Sequence, residues 1–280
     1  MVHFSPALRP RRLASLFLAG VVAAAIVAPG AATATDPTPD AATLSASEAA
    51  MVVALNQDRT SHGLLPVRVD VRLMAIARAR SNDMVANHYF GHVQPDGRNV
   101  FDIINAAHIT WYGAGEIIAW NNYSMDVTVS AANHQWLGSP GHYAILMSSD
   151  YNYVGVGLAF DPATGQKFWT ADYLKGPDRT AARASVSTPT VAAGTTSATR
   201  RVHLAWTGYD PRLQVLTSGL RAYGLQRSVD GGIWTTIYFA TTLKSATLNL
   251  ALGHLYQFRV VARDRAGNHG TWVIRTVDLR

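Results

Sequence analysis

A chain of 280 residues is long enough for one large domain or two modest ones, and 48% of its residues are hydrophobic, as is typical of a globular protein. It contains no cysteine, which excludes disulfide bonds and zinc–thiolate sites. The net charge of +6 is unevenly divided: residues 35–176 carry 8 Lys and Arg against 13 Asp and Glu, a net of −5, whereas residues 177–280 carry 13 against 5, a net of +8.

The first 34 residues have the pattern of a secretory signal peptide. Three arginines between residues 9 and 12 precede an apolar run, and Ala32-Thr33-Ala34 supplies a small-x-small cleavage site. The run is short for a membrane span, so the pattern favours export over a permanent membrane anchor. The arginine pair leaves the general and the twin-arginine routes open. Residues 35–44 are predicted to be a disordered lead-in, and the mature protein is expected to have no transmembrane segment.

Helical signals follow. Ser45 and Glu48 have the spacing of a capping box, which predicts a first helix from Ser45 to about Arg59. Asp70 can cap a second helix, whose core-facing positions recur at helical spacing: Leu73, Ile76, Ala77, Arg80 and Met84. A loop with a Pro-Asp-Gly turn is predicted over residues 88–98, and a short helix over residues 99–107.

Two polar residues stand out in the next stretch. Glu116 lies between glycines and the apolar run 117–120, so its carboxyl group must find partners or protonate. A helix is predicted over residues 126–137, and Ser139-Pro140 then gives an N-cap and a proline at the first position of another helix. His142 falls in its first turn, where the helix dipole favours a neutral imidazole. Three apolar residues of this stretch are expected to face the core: Ala144, Ile145 and Met147.

Strand patterns dominate the remainder. Residues 154–160 and 167–173 predict a hairpin, so the region from residue 45 to 176 reads as an α+β domain with helices around a small antiparallel sheet. Residues 177–196 are rich in Ala, Ser, Thr and Pro without hydrophobic periodicity, which predicts an interdomain linker. Residues 197–280 alternate with the period of strands, with a hairpin turn at Asp230-Gly231-Gly232.

Two family resemblances follow from these motifs. WLGSPGHYAILMSSDYNYVGVG (136–157), LNQDRTSHGLLPV (55–67), HYFGHVQPDGRNVFDII (88–104) and GEIIA (115–119) resemble, in order, the motifs of the CAP superfamily of cysteine-rich secretory, antigen 5 and pathogenesis-related proteins, in their bacterial secreted form. The resemblance implies an α-β-α sandwich. In the tail, Trp206, Trp234, YQFRVVARD (256–264) and the sequence Ala-Gly-Asn at 266–268 resemble a fibronectin type III module, an immunoglobulin-like all-β sandwich with Tyr256 at its tyrosine corner.

The CAP resemblance implies a cleft with two histidines and two acidic residues, which holds a divalent metal in some members. His92, His142 and Glu116 match three of the four, so they are the candidate ligand-binding residues and the candidate ligands of a divalent metal such as zinc. The second family glutamate has no counterpart, because this chain has Leu137, Gly138 and Ser139 there. The alternative is a hydrogen-bonded polar core without metal. His88 and His134 are interpreted as surface histidines.

The predicted function is that of a secreted, extracellular and non-enzymatic protein. The resemblance implies a cleft for a small hydrophobic or cell-envelope ligand, and the tail charge suggests anionic envelope polymers as partners of the C-terminal domain. Nucleic acid is not expected, because the basic residues are scattered without a known reading element. The alternative is a metal-dependent hydrolase using His92, His142 and Glu116, although HExxH and GxSxG motifs are missing.

Overall fold

The computed structural model of the protein describes residues 41–280. The predicted signal peptide, and the predicted lead-in up to residue 40, lie outside the described residues. The chain divides into two compact units, the first ending at Gly176 and the second comprising Pro177–Arg280. Within residues 41–280, no helix combines the length and the apolar character needed to cross a membrane.

The first unit is built from helices around one sheet. Its helices are α1 (Ala41–Ser61), α2 (Val71–Ala86), α3 (Val100–Ala106), α4 (Thr128–Gly138) and α5 (Pro140–Leu146). Its strands are β1 (Arg68–Val69), β2 (Gly113–Asn121), β3 (Tyr153–Phe160) and β4 (Lys167–Lys175). They form a sheet in the order β1-β3-β4-β2, in which only the short β1–β3 pair is parallel. The sequence predicted β3 and β4, but neither β1 nor β2.

One face of this sheet is covered by α2. Asp70 caps the helix by accepting a hydrogen bond from the Arg72 amide at 3.0 Å, as the sequence predicted. The helix lies so close to β3 that a Cβ atom built on Gly155 would stand 2.1 Å from the carbonyl carbon of Leu73, and one on Gly157 would stand 2.2 Å from that of Ala77. Only glycine permits this approach, so two glycines set the position of α2 and of the side chains it carries.

The other face carries the main apolar core. Alternate residues of the strands, among them Ile117, Val156 and Trp169, are buried there against helical residues such as Leu55 of α1 and Trp136 of α4. Because successive side chains of a strand point to opposite faces, Ile117 in this core places its neighbour Glu116 on the α2 face. The unit is therefore an α-β-α sandwich of the α+β class.

The start of α1 differs from the prediction. The helix begins at Ala41, so residues 41–44 are helical and Ser45 is not its N-cap. Leu44 packs against the core, which stabilises this additional turn. Glu48 does not form a capping box, because its carboxylate accepts hydrogen bonds from Arg78 of α2 at 2.9 and 3.0 Å and from the Leu158 amide at 3.1 Å. The Glu48 carboxylate, which the sequence assigned to a local helix cap, therefore forms tertiary contacts instead.

The region of α5 also differs in detail. Ser139 occupies the N-cap position and Pro140 the first turn, but the Ser139 side chain makes no capping hydrogen bond. Ala144 is exposed, whereas Leu146 is fully buried. The helix has only seven residues and lies against the edge strand β2, so fewer of its side chains face the core than the sequence predicted.

The second unit consists of two packed sheets. Its strands are β5 (Arg183–Val186), β6 (Thr190–Ala193), β7 (Thr199–Tyr209), β8 (Leu220–Val229), β9 (Thr235–Thr241), β10 (Ser245–Ala251), β11 (Leu255–Asp264) and β12 (Val273–Asp278). One sheet has the order β10-β7-β5 with β6 also on β7, and the other has the order β12-β11-β8-β9. Buried residues of both sheets, including Trp206 and Phe258, share one core.

The interpretation of residues 177–196 as a linker is not what the structure shows. This segment contains β5 and β6, which pair with successive parts of β7. All four side chains of β6 are exposed, so its sequence shows no hydrophobic periodicity. The strand is held by main-chain hydrogen bonds to β7. The predicted hairpin turn is present, because Asp230 and Gly231 have positive φ angles of 51° and 74°. The Tyr256 hydroxyl donates to the Ala251 carbonyl at 3.2 Å.

Candidate functional site

The candidate site is centred on Glu116, which lies on the edge strand β2 and faces α2. Glu116 is 5% exposed, and its carboxylate contacts Arg80, a fully buried residue of α2. Arg80 Nε donates to Glu116 Oε2 at 2.9 Å, and Arg80 Nη2 donates to Oε1 at 3.3 Å. The two charges therefore form a bidentate buried pair, which is the arrangement in which a buried ion pair is most stable.

Arg80 is fixed on its remaining sides by the loop that follows α2. Its Nη1 donates to the Tyr89 hydroxyl at 2.6 Å and its Nη2 to the Gly91 carbonyl at 2.8 Å. Burial by itself lowers the pKa of Arg80, but the hydrogen bond and the charge of Glu116 outweigh burial and raise that pKa above its usual value. The guanidinium thus stays charged and ties the loop to β2 through one side chain.

His92 comes from the same loop and contacts the other side of the carboxylate. Its Nδ1 lies 2.9 Å from Glu116 Oε1, so in the orientation with Nδ1 protonated it donates to Glu116 and leaves Nε2 free to accept. The side chain is 41% exposed, which distinguishes it from the buried Arg80 and Glu116. Glu116 therefore orients a histidine that remains accessible from solvent.

His142 stands opposite His92, on the first turn of α5. The two ring centroids are 6.3 Å apart and the ring planes meet at 62°, although 50 residues separate them in sequence. Burial, followed by the charge of His92, lowers the pKa of His142 to about 4. The sequence predicted a neutral imidazole here from the helix dipole, and in the structure burial and the charge of His92 both favour the neutral form. The structure thus brings all three candidate residues together.

Asp172 is a titratable group at the site that the sequence did not indicate. It pairs directly with Glu116 across β2 and β4, is fully buried, and neither of its carboxyl oxygens has a hydrogen-bond partner. Burial raises its pKa well above the usual value, and the charge of Glu116 adds to this effect while Arg80 opposes it. Burial therefore favours the protonated form of Asp172. The sequence could not indicate this contact, because the register that pairs Asp172 of β4 with Glu116 of β2 is not visible in the sequence around either residue.

The three candidate residues fit a divalent metal only in part. The facing imidazoles are compatible with two ligands, but both oxygens of Glu116 already accept hydrogen bonds from Arg80 or His92. To bind a cation, Glu116 has to release part of a bidentate bond to a buried guanidinium, whose positive charge also repels the cation. The stretch Leu137–Ser139 supplies no acid. The geometry therefore fits a hydrogen-bonded polar site better than a three-ligand metal site.

A cavity lies farther along the same face of the sheet. It has a volume of about 350 Å³, and Phe90, Trp120 and Phe168 form much of its apolar wall. Phe90 and Trp120 remain partly open to solvent, with exposures of 45% and 42%. Trp120 follows Glu116 by four residues on one strand face, a span of about 13 Å. Trp111 and Tyr143, two further aromatic residues of this unit, pack elsewhere: Trp111 against Phe101, and Tyr143 against His62. His88 and His134 are exposed.

Comparison with known proteins places the first unit in a family. Residues 52–173 match the sequence model of the cysteine-rich secretory protein family, CAP. The chain is 33% identical over 129 residues to the uncharacterized membrane protein YlbC of Bacillus subtilis, covering 46% of this chain and 34% of that protein. It is 31% identical over 148 residues to the uncharacterized protein YkwD of the same organism, covering 52% and 54%.

Among solved structures, an extracellular protein containing a SCP domain from Bacillus anthracis is similar, with 27% identity and a TM-score of 0.42, over 47% of this chain and 41% of that chain. The chain thus spans about a third and about half of the two B. subtilis relatives.

Proposed function

Since residues 52–173 form a CAP domain, we propose that the chain is an exported, non-enzymatic binding protein whose CAP domain takes up a small hydrophobic ligand of the cell envelope. The polar end of the site is the His92–Glu116–His142 cleft, and the apolar end is the cavity beside Trp120. The observation that carries the proposal is the pairing of Glu116 with Arg80 and His92, because these hydrogen bonds give the Glu116 carboxylate a structural role.

This pairing argues against the hydrolase alternative. A general base needs a carboxylate that can approach a water and take its proton, whereas Glu116 is bound from one side by Arg80 and from the other by His92. Burial raises the pKa of the second buried acid, Asp172, and so favours its protonated form, which cannot act as a base. A metal-activated water is not supported either, because the carboxylate that should complete the ligand set already accepts hydrogen bonds from Arg80 and His92.

The aromatic cavity supports an apolar ligand. Its volume of about 350 Å³ lies within the range of small-molecule sites, which combine apolar walls with a few polar groups. Phe90, Trp120 and Phe168 provide the wall, and Thr164 and Gln166 stand at its edge. In this proposal an amphipathic molecule places its apolar part against Trp120 and directs its polar part along the sheet toward His92 and His142.

The C-terminal unit is proposed to dock the protein on anionic envelope polymers, and its fibronectin type III character belongs to the same proposal. This unit carries the net charge of +8. On one sheet, Arg259 lies 4.3 Å from the ring centroid of Trp234 and 4.5 Å from that of Trp272, and its Nε donates to Gln226 at 2.8 Å. This stacking holds the weakly hydrated Arg259 guanidinium in a fixed position, where it can bind an anionic group.

Fluorescence titration with palmitate tests the cleft proposal. Palmitate is used as the probe because it combines an alkyl chain with one polar head. We expect saturable binding with a change in tryptophan emission, and a loss of affinity of about tenfold or more in Trp120→Ala and Phe90→Ala, since each substitution removes apolar wall. Tyr112→Ala, which removes an exposed aromatic of the same unit, is the matched control and should bind like the wild type.

Two results contradict the proposal. The first is equal palmitate binding in wild type and in Trp120→Ala, which places the ligand elsewhere. The second is zinc-dependent turnover of a p-nitrophenyl ester that is lost in His142→Ala, which supports the hydrolase alternative. Absence of turnover together with palmitate binding that depends on Trp120 is the expected outcome.

A further inference from the structure

Three aspartates of the second unit meet at one end of its sandwich. Asp178 lies before β5, Asp210 follows β7 and Asp264 ends β11. One carboxylate oxygen from each lies within 4.8 Å of the others. Calcium binds oxygen at about 2.3–2.6 Å, so two oxygens on the same ion are at most about 5 Å apart. The spacing of the three carboxylates therefore matches that of ligands sharing one cation.

Burial makes this cluster different from an exposed acidic patch. The exposed fractions are 7% for Asp178, 9% for Asp210 and 0% for Asp264. Within the described part of the chain, no Lys, Arg or His forms an ion pair with any of them. Arg265, which follows Asp264 in the chain, donates to the Ser218 carbonyl instead. Three buried carboxylates without a basic partner are unfavourable as anions unless a cation compensates them.

The hydrogen bonds leave one oxygen without a donor. Asp178 accepts from the amides of Thr180 and Ser218, and Asp264 accepts from the amide and the side chain of Asn268. Asp210 Oδ2 accepts from the Gly219 amide at 2.6 Å and from the Ser218 hydroxyl at 3.2 Å.

Asp210 Oδ1, by contrast, is buried and has no partner. Burial raises the pKa of Asp210, and the charges of Asp178 and Asp264 add to that effect against the Gly219 hydrogen bond. A buried oxygen that lacks a donor, on a carboxylate with two others close by, is a group for which a cation is the missing partner.

We propose that Asp178, Asp210 and Asp264 bind a calcium ion. All three donors are carboxylate oxygens, which calcium prefers, and the cluster has no histidine or cysteine to favour zinc. Calcium takes six to eight oxygens in flexible geometry, so main-chain carbonyls and waters complete the set, whereas magnesium demands near-ideal octahedral geometry. The ion ties the start of β5, the loop after β7 and the end of β11 together, in a unit that has no disulfide to do so.

Equilibrium dialysis and thermal unfolding of the full chain test this site. We expect about one calcium ion per chain with a dissociation constant in the range of about 0.1–1 mM, as in extracellular modules. At 10 mM calcium the unfolding temperature of the second unit should rise by about 10 °C relative to EDTA. Asp210→Asn, which keeps the shape of the side chain but removes its charge, should weaken binding at least tenfold and abolish the rise.

Two control variants separate this site from other acids. Asp278→Asn alters an exposed carboxylate of the same unit that pairs with Arg280, and Glu116→Gln alters the cleft of the first unit. Both should keep the full calcium response, so failure of the cleft proposal leaves this one untouched. The inference is overturned if calcium up to 10 mM neither binds nor raises the unfolding temperature, or if Asp210→Asn responds like the wild type.

Discussion

At the scale of single residues, the Arg80–Glu116 pair connects α2, the loop after it and the edge strand β2. The sequence indicated Glu116 and the two histidines by their motifs, and it placed Arg80 on the buried face of α2. It could not indicate that Arg80 faces Glu116, because that contact depends on how closely α2 packs on the sheet. The residue that commits Glu116 to structure was therefore visible only as an unexplained buried arginine.

Removal of Arg80 should destabilise the protein strongly. Arg80→Met leaves the Glu116 carboxylate buried with a single partner, so the free energy of unfolding should fall by about 3–5 kcal/mol. Adding Glu116→Gln to this variant should recover part of the loss, since it removes the unpaired charge. Urea unfolding measures both effects. Arg98→Met, at the exposed pair with Asp96, is the control and should change stability by less than about 1 kcal/mol; a similarly small loss in Arg80→Met contradicts the assigned role.

Asp172 should make stability depend on pH in a defined direction. Its pKa is raised in the folded state, so its contribution to stability is fully present below the unfolded value near 3.8 and is lost as the pH rises toward the folded pKa. Asp172→Asn cannot ionise, so relative to the wild type its stability should increase from pH 4 to pH 7, by about 1–3 kcal/mol. Urea unfolding of both proteins at pH 4 and pH 7 measures this effect. If the difference in free energy of unfolding between Asp172→Asn and the wild type is the same at both pH values, Asp172 does not have a raised pKa in the folded state.

At the scale of elements, the site depends on the close packing of α2 on β3. Gly157→Ala places a methyl group against the Ala77 backbone, and backbone cannot move as a flexible side chain does, so we expect a loss of about 3 kcal/mol or more. Gly113→Ala on β2 is the matched control, because its new Cβ meets only Lys175 side-chain atoms at 3.6 Å or more. Thermal unfolding of the two variants measures the difference, and equal losses contradict this explanation.

The elements that the sequence predicted are those whose own residues carry the signal. Helix α2 has a cap at Asp70 and a buried stripe, and β7 alternates through Val202, Leu204 and Trp206, so local pattern was sufficient. Strand β6 exposes every side chain and is held by main-chain pairing, so its sequence lacks the alternation of apolar and polar residues that predicts a strand. Glu48 looked like part of a cap because the sequence does not show Arg78 beside it.

At the scale of the whole molecule, the charge division predicts docking that depends on salt. The second unit, with its net charge of +8, should hold the full chain on anionic cell-wall preparations at low salt. Near 1 M salt the Debye length falls to about 3 Å, so binding through exposed Lys and Arg should be largely lost. Cosedimentation measures this, with Arg259→Gln weaker than the wild type and Arg98→Gln unchanged. Binding that salt does not reduce rules out electrostatic docking.

The metal-free binding cleft is tested most directly by titrating palmitate into the full chain in EDTA and again with added zinc, with tryptophan emission as the readout. If Arg80 and His92 hold Glu116 in place without an ion, palmitate binds with the same affinity in both conditions, and Trp120→Ala weakens it in both. Binding that is absent in EDTA and appears only with zinc contradicts this, and it makes His92, Glu116 and His142 metal ligands instead.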